Sequence, residues 1–159
     1  MISIKKALVK DIEKIQRLNH EIMFQNKEFD PDIDIDFDLS DKGRKFFKEA
    51  LENTDSCFYI AYDGGKMVGY GNDSKKEYLY RNKQYLEIEN IGVIPEYKKK
   101  GVGTKLLRRL LNWAKEKGLE RVYLNCYIKN NDALTFYKRF GFKEIDVSLE
   151  MDLYHKLEI

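Results

Sequence analysis

From Tyr85 to Tyr127 the chain reads as strand, loop, helix and strand in direct succession, and that order limits the sheets it can build. Tyr85 to Ile94 is an apolar run that ends at Pro95, because proline has no amide to give a ladder. Leu106, Leu107, Leu110, Leu111 and Ala114 then recur at helical spacing up to Gly118, a residue suited to the turn that follows a helix. Arg121 to Tyr127 reads as the next strand. A helix that joins two strands of one sheet runs them parallel.

The remaining segments ask for antiparallel neighbours. Ile2 to Lys6 alternates like a short strand, and Leu8, Ile12, Ile15, Leu18 and Ile22 form one face of a helix. Ser40 caps a second helix to about Leu51, with Phe46, Phe47, Ala50 and Leu51 on its buried side. Two apolar runs, Cys57 to Tyr62 and Lys66 to Tyr70, flank the hairpin turn Asp63-Gly64-Gly65. Tyr78 to Tyr80, a turn at Arg81-Asn82-Lys83, and Tyr85 to Ile94 continue the meander. Asp132 to Arg139 is a short helix that Gly141 terminates, and Phe142 to Ile145 with Leu149 to Tyr154 read as a closing strand pair. The expectation is an α/β (α+β) fold: a mixed, mostly antiparallel sheet of six to seven strands flanked by about four helices. At 159 residues the chain suits one domain over residues 1–159, large enough to close a core without metal or disulfide.

Several functional classes lose ground on composition. A net charge of +2 gives no reason to expect nucleic acid, and no stretch approaches the roughly 20 apolar residues of a membrane span. Cys57 and Cys126 lie in apolar, strand-like surroundings away from any CxxC pattern, so they read as reduced, buried thiols. With no signal-peptide pattern at the start, the expected location is the cytoplasm.

The connector between Pro95 and the helix carries the strongest chemical signal. Lys98-Lys99-Lys100-Gly101-Val102-Gly103-Thr104 opens a helix after a strand, so the free amides of the helix start and three lysines converge on one loop. Glycines let an anion approach the backbone closely. A lysine-rich turn with no ligand is the plainer reading of that loop taken alone. Two other phosphate motifs fit worse: a Walker loop needs Gly-Lys-Ser/Thr where the chain has Gly103-Thr104-Lys105, and the dinucleotide fingerprint needs a third glycine where Leu106 stands. Kinase-like use of ATP lacks its motifs as well.

With the flanking residues included, the chain resembles the Gcn5-related N-acetyltransferase (GNAT) family. That family's Gln/Arg-x-x-Gly-x-Gly/Ala signature follows a strand ending near a proline, and Ile91-Gly92-Val93-Ile94-Pro95 followed by Lys98 to Gly103 matches it, with Lys98 in place of Arg or Gln. Lysine keeps the charge and loses the planar fork of donors. The family's second motif, Asn-x-x-Ala-x-x-Phe/Leu-Tyr-x-x-x-Gly-Phe, is present as Asn130, Ala133, Phe136, Tyr137, Gly141 and Phe142.

The resemblance implies an acyl-coenzyme A-dependent N-acyltransferase, with acetyl-coenzyme A as co-substrate and no metal. It implies that the strand around Ile91, Gly92 and Val93 bulges and splays from the strand near Val122, leaving backbone groups for pantetheine and the thioester carbonyl. Lys98, Lys99, Lys100, Gly101, Val102, Gly103 and Thr104 would cradle the pyrophosphate, and Asn130, Ala133 and Tyr137 would border the coenzyme. Tyr137 matches the family's general acid toward the departing sulfur. Glu87 and Glu89, two apart on one strand face, are the candidate bases for the amine proton, and a bulge between Glu87 and Ile91 would reset that facing.

The acceptor is less visible. Asp30, Asp32, Asp34, Asp36 and Asp38 alternate in a segment that borders the acceptor side in this family, consistent with a cationic amine and equally with a solvated acidic loop. That segment has no register for an EF-hand. Asn125 stands where relatives that acetylate protein N-termini often carry a carboxylate. Tyr78, Tyr80 and Tyr85 would line a groove or serve in packing. Homodimers are common in the family. A non-catalytic coenzyme-binding regulator and a transferase of another acyl chain are the rival readings.

Overall fold

The computed structural model describes residues 1–153. Five strands form a single sheet in the order β1-β2-β3-β4-β5: β1 (Ile2–Lys6), β2 (Ser56–Asp63), β3 (Lys66–Lys76), β4 (Tyr85–Val93) and β5 (Arg121–Leu124). Neighbours are antiparallel except β4 and β5, which run parallel because helix α3 (Val102–Glu116) carries the chain back between them. Two further helices, α1 (Ile12–Asn26) and α2 (Asp41–Glu52), precede β2. These elements make up one compact unit, Met1–Asn125, and a second unit, Cys126–Ile159, holds helix α4 (Asn131–Arg139).

In β3, two adjacent residues show which helix covers which face. Tyr70 is buried with its hydroxyl donating to Asn19 of α1. At Gly71 an added Cβ would meet Leu110 of α3 at 3.0 Å, so the two faces of the strand look toward α1 and α3 respectively. Ile12, Ile15, Leu18 and Ile22 make the apolar stripe of α1, while Leu106, Leu107, Leu110 and Trp113 make that of α3. Each such side chain, fully buried, contributes roughly 1.5–3 kcal/mol, which is how helices of this length hold on a sheet. Phe47 of α2 adds an aromatic stack that continues through Phe58 to Tyr70.

Two buried polar groups fix the joins. Asn19 donates to Asp38 Oδ1 at 2.6 Å and Gln16 Nε2 donates to the Asp38 carbonyl at 2.8 Å, pinning the acidic segment to α1. Burial pushes the Asp38 carboxyl above its ordinary range, opposed by the hydrogen bond from Asn19. On the α3 side, Asp73 is 1% exposed and accepts from Cys57 N–H at 3.0 Å and Cys57 Sγ at 3.1 Å. Ser40 caps α2 through a 3.1 Å bond from Gly43 N–H, as the sequence predicts.

Among the described residues the sheet has five strands, fewer than the six to seven expected. Residues 143–152 form no strand, and the pair read from Phe142 to Ile145 and Leu149 to Tyr154 is absent within the described residues; Tyr154 lies outside them. Ile145, Val147, Leu149 and Met151 keep the alternation of a strand but are all exposed, and a ladder needs a partner strand that alternation alone does not supply. Tyr78 to Tyr80 is likewise no strand: β3 instead runs on to Lys76, and Leu79 and Tyr80 lie in a turn. Arg121 to Tyr127 is shortened to β5, Arg121–Leu124. Phe46, assigned to the buried side of α2, is 42% exposed.

Candidate active site

The site begins with a fault in β4. Asn72 of β3 pairs with Asn90, yet the next residue, Asp73, pairs with Ile88, so Glu89 is the extra residue of a bulge. The bulge reverses the facing that simple alternation would give. Leu86 and Ile88 are buried opposite Lys75 and Asp73, whereas beyond the bulge it is Ile91 that pairs with Gly71, on the α3 face. Gly92 then turns to α1, where an added Cβ would stand 2.5 Å from Ile22 Cγ2.

The same fault coincides with the end of the parallel ladder. Pairing of β4 with β5 runs from Tyr85–Arg121 to Ile88–Leu124 and stops there. From Glu89 to Val93, β4 is paired only with β3 among the described residues, so its other edge offers backbone N–H and C=O groups to a ligand. Ile91, Gly92 and Val93, which the motif singles out, all lie on this stretch.

Just beyond Ile94 the chain makes a short turn, Pro95–Tyr97, and enters the loop of lysines. Lys98, Lys99 and Lys100 are exposed, Lys99 has φ +60° and Gly101 has φ +80°. Gly101 is the N-cap of α3; among the described residues no side chain caps this end, and the first bond back to the loop is Lys105 N–H to Gly101 O at 3.1 Å. The amides of Val102, Gly103 and Thr104 therefore stand at an uncapped, electropositive helix end. Space is available: a Cβ on Gly101 would meet nothing within 4 Å, and its left-handed φ suits glycine. Lys100 Nζ lies 5.3 Å from the Tyr97 ring centroid, and the Tyr97 hydroxyl donates to Asp63 at 3.1 Å, which steadies the turn. A pyrophosphate fits this donor set.

Glu87 and Glu89 do share the face toward α1, as their spacing predicts, and their partners differ. Glu89 accepts from Asn72 Nδ2 and from Ser74 Oγ, each at 2.7 Å, and no cation pairs with it among the described residues. Glu87 instead carries Lys76 as an ion pair. Asn72, Ser74 and Lys76 were not among the sequence candidates. Their signal was a polar residue at every second position, hidden because the strand was taken to end at Tyr70.

In the second unit, Asn130 caps α4 by accepting from Ala133 N–H at 3.1 Å, so the first motif asparagine and the alanine are bonded to each other. Gly141 closes the helix with φ +91°, and Phe142 N–H returns to Tyr137 O at 3.3 Å. Tyr137 stands edge-on to Phe136 and Phe142, with centroids 5.2 and 5.7 Å away. Burial, reinforced by the thiol of Cys126, pushes the Tyr137 hydroxyl up to about 12, so it keeps its proton throughout the neutral range.

The acidic segment divides by role. Asp38 is buried in the core network, and the Asp30 and Asp34 carboxylates accept from the amides of Asp32 and Asp36 at 3.1 Å in local turns. Tyr78 stands against Tyr80, Tyr85 and Tyr123, all edge-on, with Arg81 4.7 Å from the Tyr78 ring centroid. None of the described helices is long and apolar enough to cross a membrane.

Comparison with known proteins agrees with this geometry. An N-alpha-acetyltransferase of Sulfurisphaera tokodaii is 28% identical over 152 residues, covering 91% of this chain and 81% of that one. Aminoglycoside N-acetyltransferase AAC(6')-Iy, solved with coenzyme A, superposes with a TM-score of 0.75 at 18% identity, over 98% of this chain and 96% of its own. A Bacillus halodurans protein described as a transcriptional regulator gives 0.76 at 22% identity, over 96% of this chain and all (100%) of its own. These two solved structures bear on the fold alone. The profile of the acetyltransferase (GNAT) family matches residues 12–142, and the chain belongs to that family.

Proposed function

We propose that this chain is an acetyl-coenzyme A-dependent N-acetyltransferase, one domain that moves an acetyl group to a primary amine by direct transfer in a ternary complex. The observation that carries the reading is the stretch Glu89–Val93, bulged, open on one edge and leading within a few residues to the uncapped start of α3. Bound acetyl-coenzyme A supplies an activated acyl carbon and a thiolate leaving group. The amides of Val102, Gly103 and Thr104, with the lysines before them, hold its pyrophosphate. Backbone N–H groups of the open β4 edge hydrogen-bond the thioester oxygen, where negative charge develops as the amine attacks.

Glu89 takes the amine proton, directly or through a water, because its partners Asn72 and Ser74 are neutral donors that orient it without neutralising it. Glu87 is less suited to that task while Lys76 sits on it. Tyr137 donates a hydrogen bond to the departing sulfur. A hydroxyl at about 12 is a weaker acid than a thiol of ordinary pKa near 8.5, so full proton transfer is uphill by roughly 5 kcal/mol and donation of the hydrogen bond is its main contribution.

The test is release of free thiol from acetyl-coenzyme A across a panel of primary amines and N-terminal peptides. Amine-dependent release with formation of the acetylated amine is the expected result. Tight coenzyme binding with no release on any amine would favour the non-catalytic regulator. Faster release from a longer acyl-coenzyme A would reassign the donor.

A further inference from the structure

Lys76 ends β3 with its ammonium paired to Glu87 and set over two aromatic faces, 5.6 Å from the Tyr78 ring centroid and 5.7 Å from that of Tyr123. A carboxylate with two ring faces is a recognised way to bind an alkylammonium, since the faces carry negative potential and the carboxylate supplies the counter-charge. The Glu87 side chain is 18% exposed and that of Lys76 39%, so the carboxylate is the fixed, sheltered partner and the lysine the accessible one. Four carbons of flexible stem allow Lys76 to leave without moving the strand. In effect the chain displays an ammonium in a site built for one.

The site stands beside the candidate base on the same strand face. Glu87 and Glu89 are two residues apart, which along a strand is about 7 Å. At the Glu89 end, Asn72 is 3% exposed and uses Nδ2 on Glu89, while its Oδ1 has no partner among the described residues. A buried carbonyl oxygen left without a donor is costly, and solvent does not reach this one, so Asn72 serves the face through the hydrogen bond that orients Glu89. One end of this face thus holds an oriented carboxylate, and the other holds a cation that can be exchanged.

We propose that Glu87, Tyr78 and Tyr123 form a subsite for a second, non-reacting ammonium of the acceptor, and that Lys76 is the internal competitor that fills it until the acceptor arrives. The inference rests on the acetyltransferase reading and narrows its substrate class to primary amines with another cationic nitrogen about 7 Å away, the reach of a short α,ω-diamine. Only the amine beside Glu89 needs to lose a proton. The ammonium at Glu87 stays charged and sets the register.

Calorimetric titration of the full chain with 1,4-diaminobutane and with butylamine reads binding without chemistry. The diamine is expected to bind more tightly than the monoamine. Lys76→Met strengthens diamine binding about tenfold, the size of one exposed ion pair with its cation–π contacts, and leaves butylamine unchanged. Glu87→Gln, close in shape, weakens the diamine about tenfold. Equal binding of the two amines by the unaltered chain, or a Lys76→Met variant that binds the diamine no better, overturns the proposal. Thiol release separates the two levels: no turnover despite these binding differences sinks the transferase reading and leaves the subsite standing. Loss of kcat in Glu87→Gln on both amines with KM unchanged makes Glu87 the base and removes the subsite.

Discussion

Asp73 shows how much one residue can store. It is buried at the middle of the sheet, accepts hydrogen bonds from Cys57 alone among the described residues, and burial raises its carboxyl from the ordinary 3.8 to about 7. The folded state therefore holds a proton that the unfolded chain has lost between those two values. Stability from this group is complete below about pH 4, falls as pH rises, and is gone above about pH 7, a change on the order of 4 kcal/mol. Asp73→Asn is expected to flatten that slope and to stabilise the chain above neutrality, which urea unfolding of both proteins across the range would show. Identical slopes would mean that Asp73 is ionised in the fold. For Tyr137, the phenylalanine variant is expected to lose roughly 100-fold in kcat with coenzyme affinity intact, because the hydroxyl matters when charge develops on sulfur. Unchanged turnover would remove the residue from the mechanism.

At the scale of elements, the bulge, the end of the β4–β5 ladder and the start of α3 follow one another along the chain, and the proposed function uses them together. Gly92 is the residue that lets β4 approach α1 there. Gly92→Ala should cost roughly 2 kcal/mol by crowding Ile22, and pairing it with Ile22→Ala should cost less than the two changes summed, as thermal unfolding of the three variants would reveal. At the loop, Gly103→Asp places a carboxylate among the amides proposed to hold the pyrophosphate, and loss of coenzyme binding by calorimetry is the expected outcome; retained affinity would show that the anion sits elsewhere. The glycines, the proline and both motif segments were legible because their chemistry is local. The bulge was anticipated between Glu87 and Ile91 and falls there, at Glu89; which residue of that interval would be the extra one was not legible, since register depends on what the neighbouring strand contributes. The partners of Glu87 and Glu89 were missed for the same reason: Asn72, Ser74 and Lys76 become neighbours only once β3 is seen to run six residues past Tyr70. In the other direction, the apolar residues of Phe142 to Ile145 and Leu149 to Tyr154 promised a strand pair that has no ladder among the described residues.

For the whole molecule, the order of elements from β1 to α4 followed from periodicity and turn residues, and the single parallel junction followed from α3 lying between two strands. What the sequence could not supply was the assignment of tasks within the acidic and aromatic residues. Asp38 proved to be a core group, while Tyr78 and Tyr123 gather around a lysine. Binding of acetyl-coenzyme A to the folded chain should raise its melting temperature, by the equivalent of about 2.7 kcal/mol at a hundredfold excess over Kd, and should exceed any effect of Mg-ATP; the reverse order would point to a nucleotide as the ligand of the loop. The most direct test of acetyl transfer in a ternary complex is the initial rate of thiol release with acetyl-coenzyme A and a responsive amine varied together. Intersecting double-reciprocal lines, with release that depends on the amine, are the predicted result. Parallel lines would contradict direct transfer, and release indifferent to every amine would contradict the transferase itself.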